Sequence, residues 1–178
     1  MKRLLTIAAL VASGLLPGCA QAPKGVTIVS DFDLNRYLGT WYEIARLDHF
    51  FERGLVNVTA EYSLRDDGGV KVVNRGFDPK KAEWREAVGK AYLADKRSVG
   101  RLKVSFFWPF YAPYNIIALD REGYTYAMVC SGNTSYLWIL SRTPTLESAI
   151  RDRLIAGAKD WGFDTNDLIF VTQQQRGH

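Results

Sequence analysis

The sequence predicts an all-β protein: an eight-stranded antiparallel up-and-down β-barrel with one C-terminal α-helix packed on its wall. Three observations carry that expectation. From Gly39 to Arg142 the chain divides into short runs of β-branched, aromatic and alternating residues, separated by turn signals. Only one segment, "TPTLESAIRDRLIAGAKDWGFD", keeps helical spacing instead. The turns between the runs are short, as a meander requires, and closing the meander into a barrel removes the bare edges an open sheet would present.

The front end stands apart from that pattern. "MKRLL" is basic, and Leu4 to Leu16 form an apolar run of 13 residues. A membrane-spanning helix needs about 20, so the run reads as a secretory signal. It ends in "LPGC", which resembles the bacterial lipobox of a Leu, two small residues and an obligatory Cys, with Pro17 replacing one small residue. The resemblance implies that residues 1–18 are a lipoprotein signal peptide and that Cys19 is the lipidated first residue of the mature chain. Residues 19–30 are then a lipidated tether ending in a short strand, and residues 31–178 the barrel domain. Ala20, where an Asp would favour the inner membrane, implies the outer membrane, with the barrel facing the periplasm.

Along the domain, Asp33 to Leu38 suit one helical turn before Gly39. "VNVTAEYSL" alternates, with Val58, Ala60 and Tyr62 on one face. "RDDGG" is a hairpin turn, because Asp-Gly and Gly-Gly take positive φ at little cost. "VKVVNRGF", "EAVGKAYL", "RLKVSFF", "YNIIALD", "YTYAMVC" and "YLWILSR" continue the series. In the helical segment Leu146, Ile150, Leu154, Ala158 and Trp161 form one stripe, opposite Arg151, Arg153, Lys159 and Asp160. Thr143 or Thr145 is expected to cap its start, Pro144 to sit in its first turn and Gly162 to end it. "DLIFVTQ" reads as a last strand beside the first.

Composition excludes several functions. Removing Lys2 and Arg3 with the signal lowers the chain's formal charge from +4 to +2, too balanced for a nucleic-acid partner. The small basic excess suits an anionic membrane surface. Of the two cysteines, Cys19 is claimed by lipid, so Cys130, in "YAMVCSG", is expected to be a buried small hydrophobe without an internal disulfide. The two histidines are His49 and His178. With no Gly-x-Ser-x-Gly elbow, no metal-ligand spacing and no phosphate loop, no catalytic residue, metal or cofactor is expected.

Three stretches together resemble the lipocalin family, and within it the bacterial outer-membrane lipocalins, relatives of apolipoprotein D. They are "GTW" at Gly39 to Trp41, "ALD" at Ala118 to Asp120 with Leu119 and Arg121 departing from the family's Thr-Asp-Tyr, and "WILSRTP" with Arg142. The flanking "RYLGTWYEIAR", "FERGL" and "KVSFF" strengthen the likeness. It implies that Gly39, Trp41 and Arg142 form the closed end, with the guanidinium across the indole.

Phased on that likeness, alternation points Trp41, Glu43 and Ala45 inward. The same phasing turns in Val58, Ala60 and Tyr62; Val70, Val72 and Asn74; Leu102, Val104 and Phe106; Asn115, Ile117 and Leu119; and Tyr136, Trp138 and Leu140. Tyr62, Val72, Asn74, Phe106, Asn115, Ile117 and Trp138 are the expected ligand-binding residues, for a fatty acid or lysophospholipid. "RLDHFFERG" is expected to cover the mouth, with Phe50 and Phe51 either as lid residues or packing the loop on its own barrel, and "FFWPFYAPY" to be a membrane-facing or homodimer patch or simply local packing. Two other functions are weighed: a structural lipoprotein with a filled barrel, and a lipid-modifying enzyme using Glu43 or His49.

Overall fold

The structure, a computed structural model, describes residues 21–94 and 98–174; the signal segment and Cys19 lie outside them. One helical turn, α1 (Leu34–Tyr37), leads into eight strands: β1 (Gly39–Arg46), β2 (Val56–Leu64), β3 (Val70–Asp78), β4 (Glu83–Leu93), β5 (Arg101–Phe107), β6 (Phe110–Leu119), β7 (Tyr126–Cys130) and β8 (Leu137–Ser141). The helix α2 (Ser148–Asp160) and a two-residue strand β9 (Ile169–Phe170) follow. Every strand pairs antiparallel with the next, and β1 pairs with both β2 and β8, so the sheet closes on itself. β9 adds outside the barrel, on the end of β1.

This meander fixes two ends. α1 and the β2–β3, β4–β5 and β6–β7 connections lie at the end where β1 begins. The β1–β2, β3–β4, β5–β6 and β7–β8 loops surround the other end, the mouth.

Alternation divides the apolar residues into two cores. Inside the barrel, Trp41, Tyr62, Val70, Val72, Ala91, Leu102, Ile116, Val129 and Leu140 pack together, and Val29, Phe32 and Tyr37 from the preceding segment seal the base. Outside, Ile44, Ala45, Leu47, Ile117, Met128, Cys130, Leu137 and Ile139 meet Leu154 and Ala158 of α2. The helical stripe predicted from sequence is therefore the face that docks. Cys130 is fully buried here, and burial pushes its thiol up to about 12.

The helix ends as expected but starts differently. Gly162 takes φ +83°, and the N–H groups of Gly162 and Phe163 donate to the carbonyls of Lys159 and Ala158, a Schellman closure. Glu147, not Thr143 or Thr145, occupies the cap position, and it makes no side-chain cap bond. The two threonines instead tie the turn leaving β8, where Thr143 Oγ1 donates to the Thr145 carbonyl at 2.7 Å.

The register shifts in four pairings, β1–β8, β2–β3, β5–β6 and β6–β7, and the first and last of these bulges turn expected inward residues out. On β1, Glu43 pairs with Leu140 but Ala45 pairs with Ile139, so Ile44 and Ala45 both face the helix and Arg46 turns in. On β6, Ile116 pairs with Val129 but Ala118 with Met128, so Ile117 and Ala118 both face out.

Candidate ligand-binding site

The base is held by one arginine. The Arg142 guanidinium lies 3.9 Å from the centre of the Trp41 ring. Its three nitrogens donate to the carbonyls of Thr40 at 3.0 Å, Arg36 at 2.7 Å and Tyr124 at 3.2 Å. One side chain thus joins α1, β1 and the β6–β7 turn, and the planar fork suits that task better than an ammonium would. Trp41 is completely buried and donates its indole N–H to the Tyr37 carbonyl at 2.8 Å. Gly39 has φ +94°, and a Cβ there would stand 3.3 Å from the Arg142 guanidinium, so glycine both makes the turn and admits the arginine. Asp120, the surviving acid of the second resemblance, accepts from Thr125 Oγ1 at 2.6 Å and shapes the β6–β7 turn.

Above this base sits a floor of hydroxyls. Tyr114 lies between Tyr37 and Tyr62, each O···O distance being 2.8 Å. Burial raises all three phenols above their ordinary range, keeping them neutral donors and acceptors.

Higher up, the inward side chains shrink. Paired residues share a face, so the register Ala60–Asn74–Ala87 places those three in one inward row. Gly89 faces in beside Val72, and Ala112 faces in beside Val104. Ala87 and Ala112 point into the barrel yet are exposed, and Ala60, Asn74, Val104, Phe106 and Trp138 are only half-buried. Inward groups that keep solvent-accessible surface line open space. The upper half of the barrel is thus a lumen with walls of Phe106, Val104 and Trp138. The Asn74 Oδ1 atom beside it is buried and accepts no hydrogen bond from the protein.

The β1–β2 loop covers part of the mouth. Phe50 on this loop is 79% exposed, and the Phe51 ring, 41% exposed, packs 4.4 Å from the buried His49 ring. The loop's underside is polar. Arg46 donates to Glu43 Oε1 at 2.6 Å and to the Glu52 carbonyl at 2.7 Å, while Glu52 Oε2 meets His49 Nε2 at 2.6 Å and accepts from Trp138 Nε1 at 3.2 Å. All of Glu43, Arg46, His49 and Glu52 are buried. Burial, reinforced by the Glu52 charge and opposed by Arg46, pushes the Glu43 carboxyl up to about 8. A neutral carboxyl still accepts the Arg46 N–H, so the short contact persists. These residues form a latch that holds the loop to the wall.

Of the ligand residues expected from sequence, Tyr62, Val72, Asn74, Phe106 and Trp138 point into the barrel. Asn115 and Ile117 do not. The β6 bulge puts them on the outer face, where Ile117 packs under α2 and the Asn115 amide donates to the Ser131 carbonyl at 3.2 Å. Tyr114 and Ile116 take the inward places. Ala45 is displaced in the same way by Arg46. Tyr37, Arg46 and Glu52 carry no signal in the sequence because they lie in a helical turn, past a bulge and in a loop, where alternation assigns no face; His49 stands out there only as a possible enzyme group.

Two further hollows lie outside the barrel. A groove of about 650 Å³ runs over the outer wall between Thr40, Thr59, Arg75, Glu86 and Gln173, and a cleft of about 330 Å³ separates α2 from β6 and β7. The first is floored by polar side chains and crossed by the exposed Arg75–Glu86 pair; the second is a narrower apolar seam between Met128, Leu119, Leu154 and Trp161, on the outer face of the wall.

A small closed meander with a sealed base, an arginine stacked on a tryptophan and one helix on the wall defines a single-lumen barrel. The chain belongs to the lipocalin-like family, whose domain matches residues 32–173. It is 58% identical over 165 residues to the outer membrane lipoprotein Blc of Vibrio cholerae serotype O1, covering 93% of this chain and 96% of that one. It is 52% identical over 175 residues to the protein of the same name from Escherichia coli K12, covering 97% and 98%. Among solved structures, insecticyanin from the tobacco hornworm Manduca sexta superposes with a TM-score of 0.69 over 88% of each chain at 22% identity, a likeness of fold.

Proposed function

We propose that this protein is an outer-membrane lipoprotein that binds and carries a fatty acid or lysophospholipid in its upper lumen for membrane maintenance. Its anchor is lipid on Cys19, and its barrel stands in the periplasm. The carrying observation is the change in side-chain size along the barrel: Ala60, Ala87 and Ala112 leave room above a floor of tyrosines, between apolar walls. The names of the two bacterial relatives support the anchoring.

An acyl chain suits this space. Burying about 15 methylenes at roughly 0.8 kcal/mol each gives on the order of 12 kcal/mol. Association costs of about 4–15 kcal/mol offset much of that, so micromolar affinity is expected. Asn74 offers an amide to a hydroxyl or carboxyl of the head group. Among the described residues of the lumen, Glu43 is engaged by Arg46 and His49 by Glu52, and neither stands beside a nucleophile.

Tryptophan fluorescence titrated with lysophospholipid tests the reading, because Trp138 borders the lumen. A saturable change is expected. No saturable change, with no lipid in native mass spectra of the purified protein, would refute it. Anchoring is tested separately: Cys19→Ala is expected to leave the membrane pellet, since stable attachment needs about two acyl chains.

A further inference from the structure

We infer that the mouth of the barrel is pressed against the lipid surface, so that cargo passes between lumen and bilayer without crossing water. The inference rests on the lipoprotein reading above and adds an orientation to it.

Three points around the mouth support this. On one side the β1–β2 loop presents Phe50. Across the barrel the β5–β6 hairpin presents Phe107, Trp108 and Phe110, which are 82%, 75% and 77% exposed. These are the largest exposures among the large apolar residues described, and all lie at the mouth. Such a cluster marks an interaction surface, and aromatic rings favour the bilayer interface.

The third point is the path of the N-terminus. Ser30 bridges Val99 near the closed end, but Gln21 has returned to the mouth, where its carbonyl would lie 3.6 Å from a Cβ placed on Gly132 of the β7–β8 loop. Only Ala20 separates Gln21 from Cys19. Two residues reach at most about 7 Å, so a lipid on Cys19 holds this rim at the membrane. Three contacts spread around one rim fix a plane. The neighbouring β3–β4 hairpin adds the exposed Lys80 and Lys81, which suit anionic head groups. A bilayer is thus favoured over a second copy of the chain, since the tether already places lipid there.

The test uses the mature lipidated protein reconstituted into phosphatidylethanolamine–phosphatidylglycerol vesicles containing lipids brominated on the acyl chain. Trp108 is expected to be quenched, and the Trp108→Phe protein to lack that component. Phe50→Ser combined with Phe107→Ser and Phe110→Ser is expected to slow transfer of a fluorescent lysophospholipid between vesicles by about tenfold. Its affinity for the same lipid in solution should stay unchanged. Protein that sediments with vesicles while Trp108 stays unquenched overturns the orientation and leaves the anchor intact. Failure to sediment with Cys19 present would instead defeat the lipoprotein reading. A stable dimer in which Trp108 is shielded from both water and brominated lipid also overturns the proposal.

Discussion

The two halves of the barrel share strands and alternation but differ in what fills them. Near the base, Trp41, Tyr62, Leu102 and Ile116 interlock with α1 and leave no accessible surface of consequence. Near the mouth, alanines take the equivalent inward positions and remain open, while the Phe106 ring packs over Gly89. β4 shows the contrast within one strand, because Ala91 and Ala87 point the same way two rows apart, the first 2% exposed and the second open to solvent. Residue size at inward positions, more than polarity, therefore separates the part that holds the barrel together from the part that holds cargo.

Substitutions can break that division. Trp41→Ala should have the largest effect: it empties the base and removes the surface on which Arg142 stacks, costing about 3–5 kcal/mol, as read from urea unfolding. Ala91→Phe forces a ring into a filled layer and should destabilise by about 1–3 kcal/mol. A base that tolerates either change would not be the structural half.

The latch sets a pH dependence between the halves. Glu43 has its carboxyl raised from 4.5 to about 8, with burial the main cause. The folded state therefore binds the proton more tightly than the unfolded state. Stability from this group is fully present below about pH 4.5, declines as pH rises, and levels off above about pH 8. In Glu43→Gln that decline should disappear from the urea midpoint measured across this range. A decline unchanged in the variant would assign it to another group.

Much of this was legible in sequence for physical reasons. Gly39, Trp41 and Arg142 carry a local geometry that only those residue types satisfy, and the β3–β4 pair keeps one unbroken register along its length. The inward set could not be read throughout, because a bulge reverses the count without leaving a sequence mark. Counting back by twos from Leu119 crosses the extra residue at Ile117 and reaches the wrong face at Asn115. The same slip on β1 hides Arg46 behind Ala45. The loop latch and the tyrosine floor depend on contacts between residues up to 86 positions apart, such as Glu52 with Trp138, which no local pattern encodes.

The smallest effect on stability should accompany the largest on binding, at Ala87. Ala87→Phe places a ring in the open lumen and should shift stability by no more than about 0.5 kcal/mol. Titrating wild type and Ala87→Phe with lysophospholipid, at matched urea midpoints, tests the division most directly. Saturable micromolar binding by the wild type, weakened at least about tenfold in the variant, is the predicted result. Equal binding by both proteins, or destabilisation of Ala87→Phe as severe as that of Ala91→Phe, would contradict it.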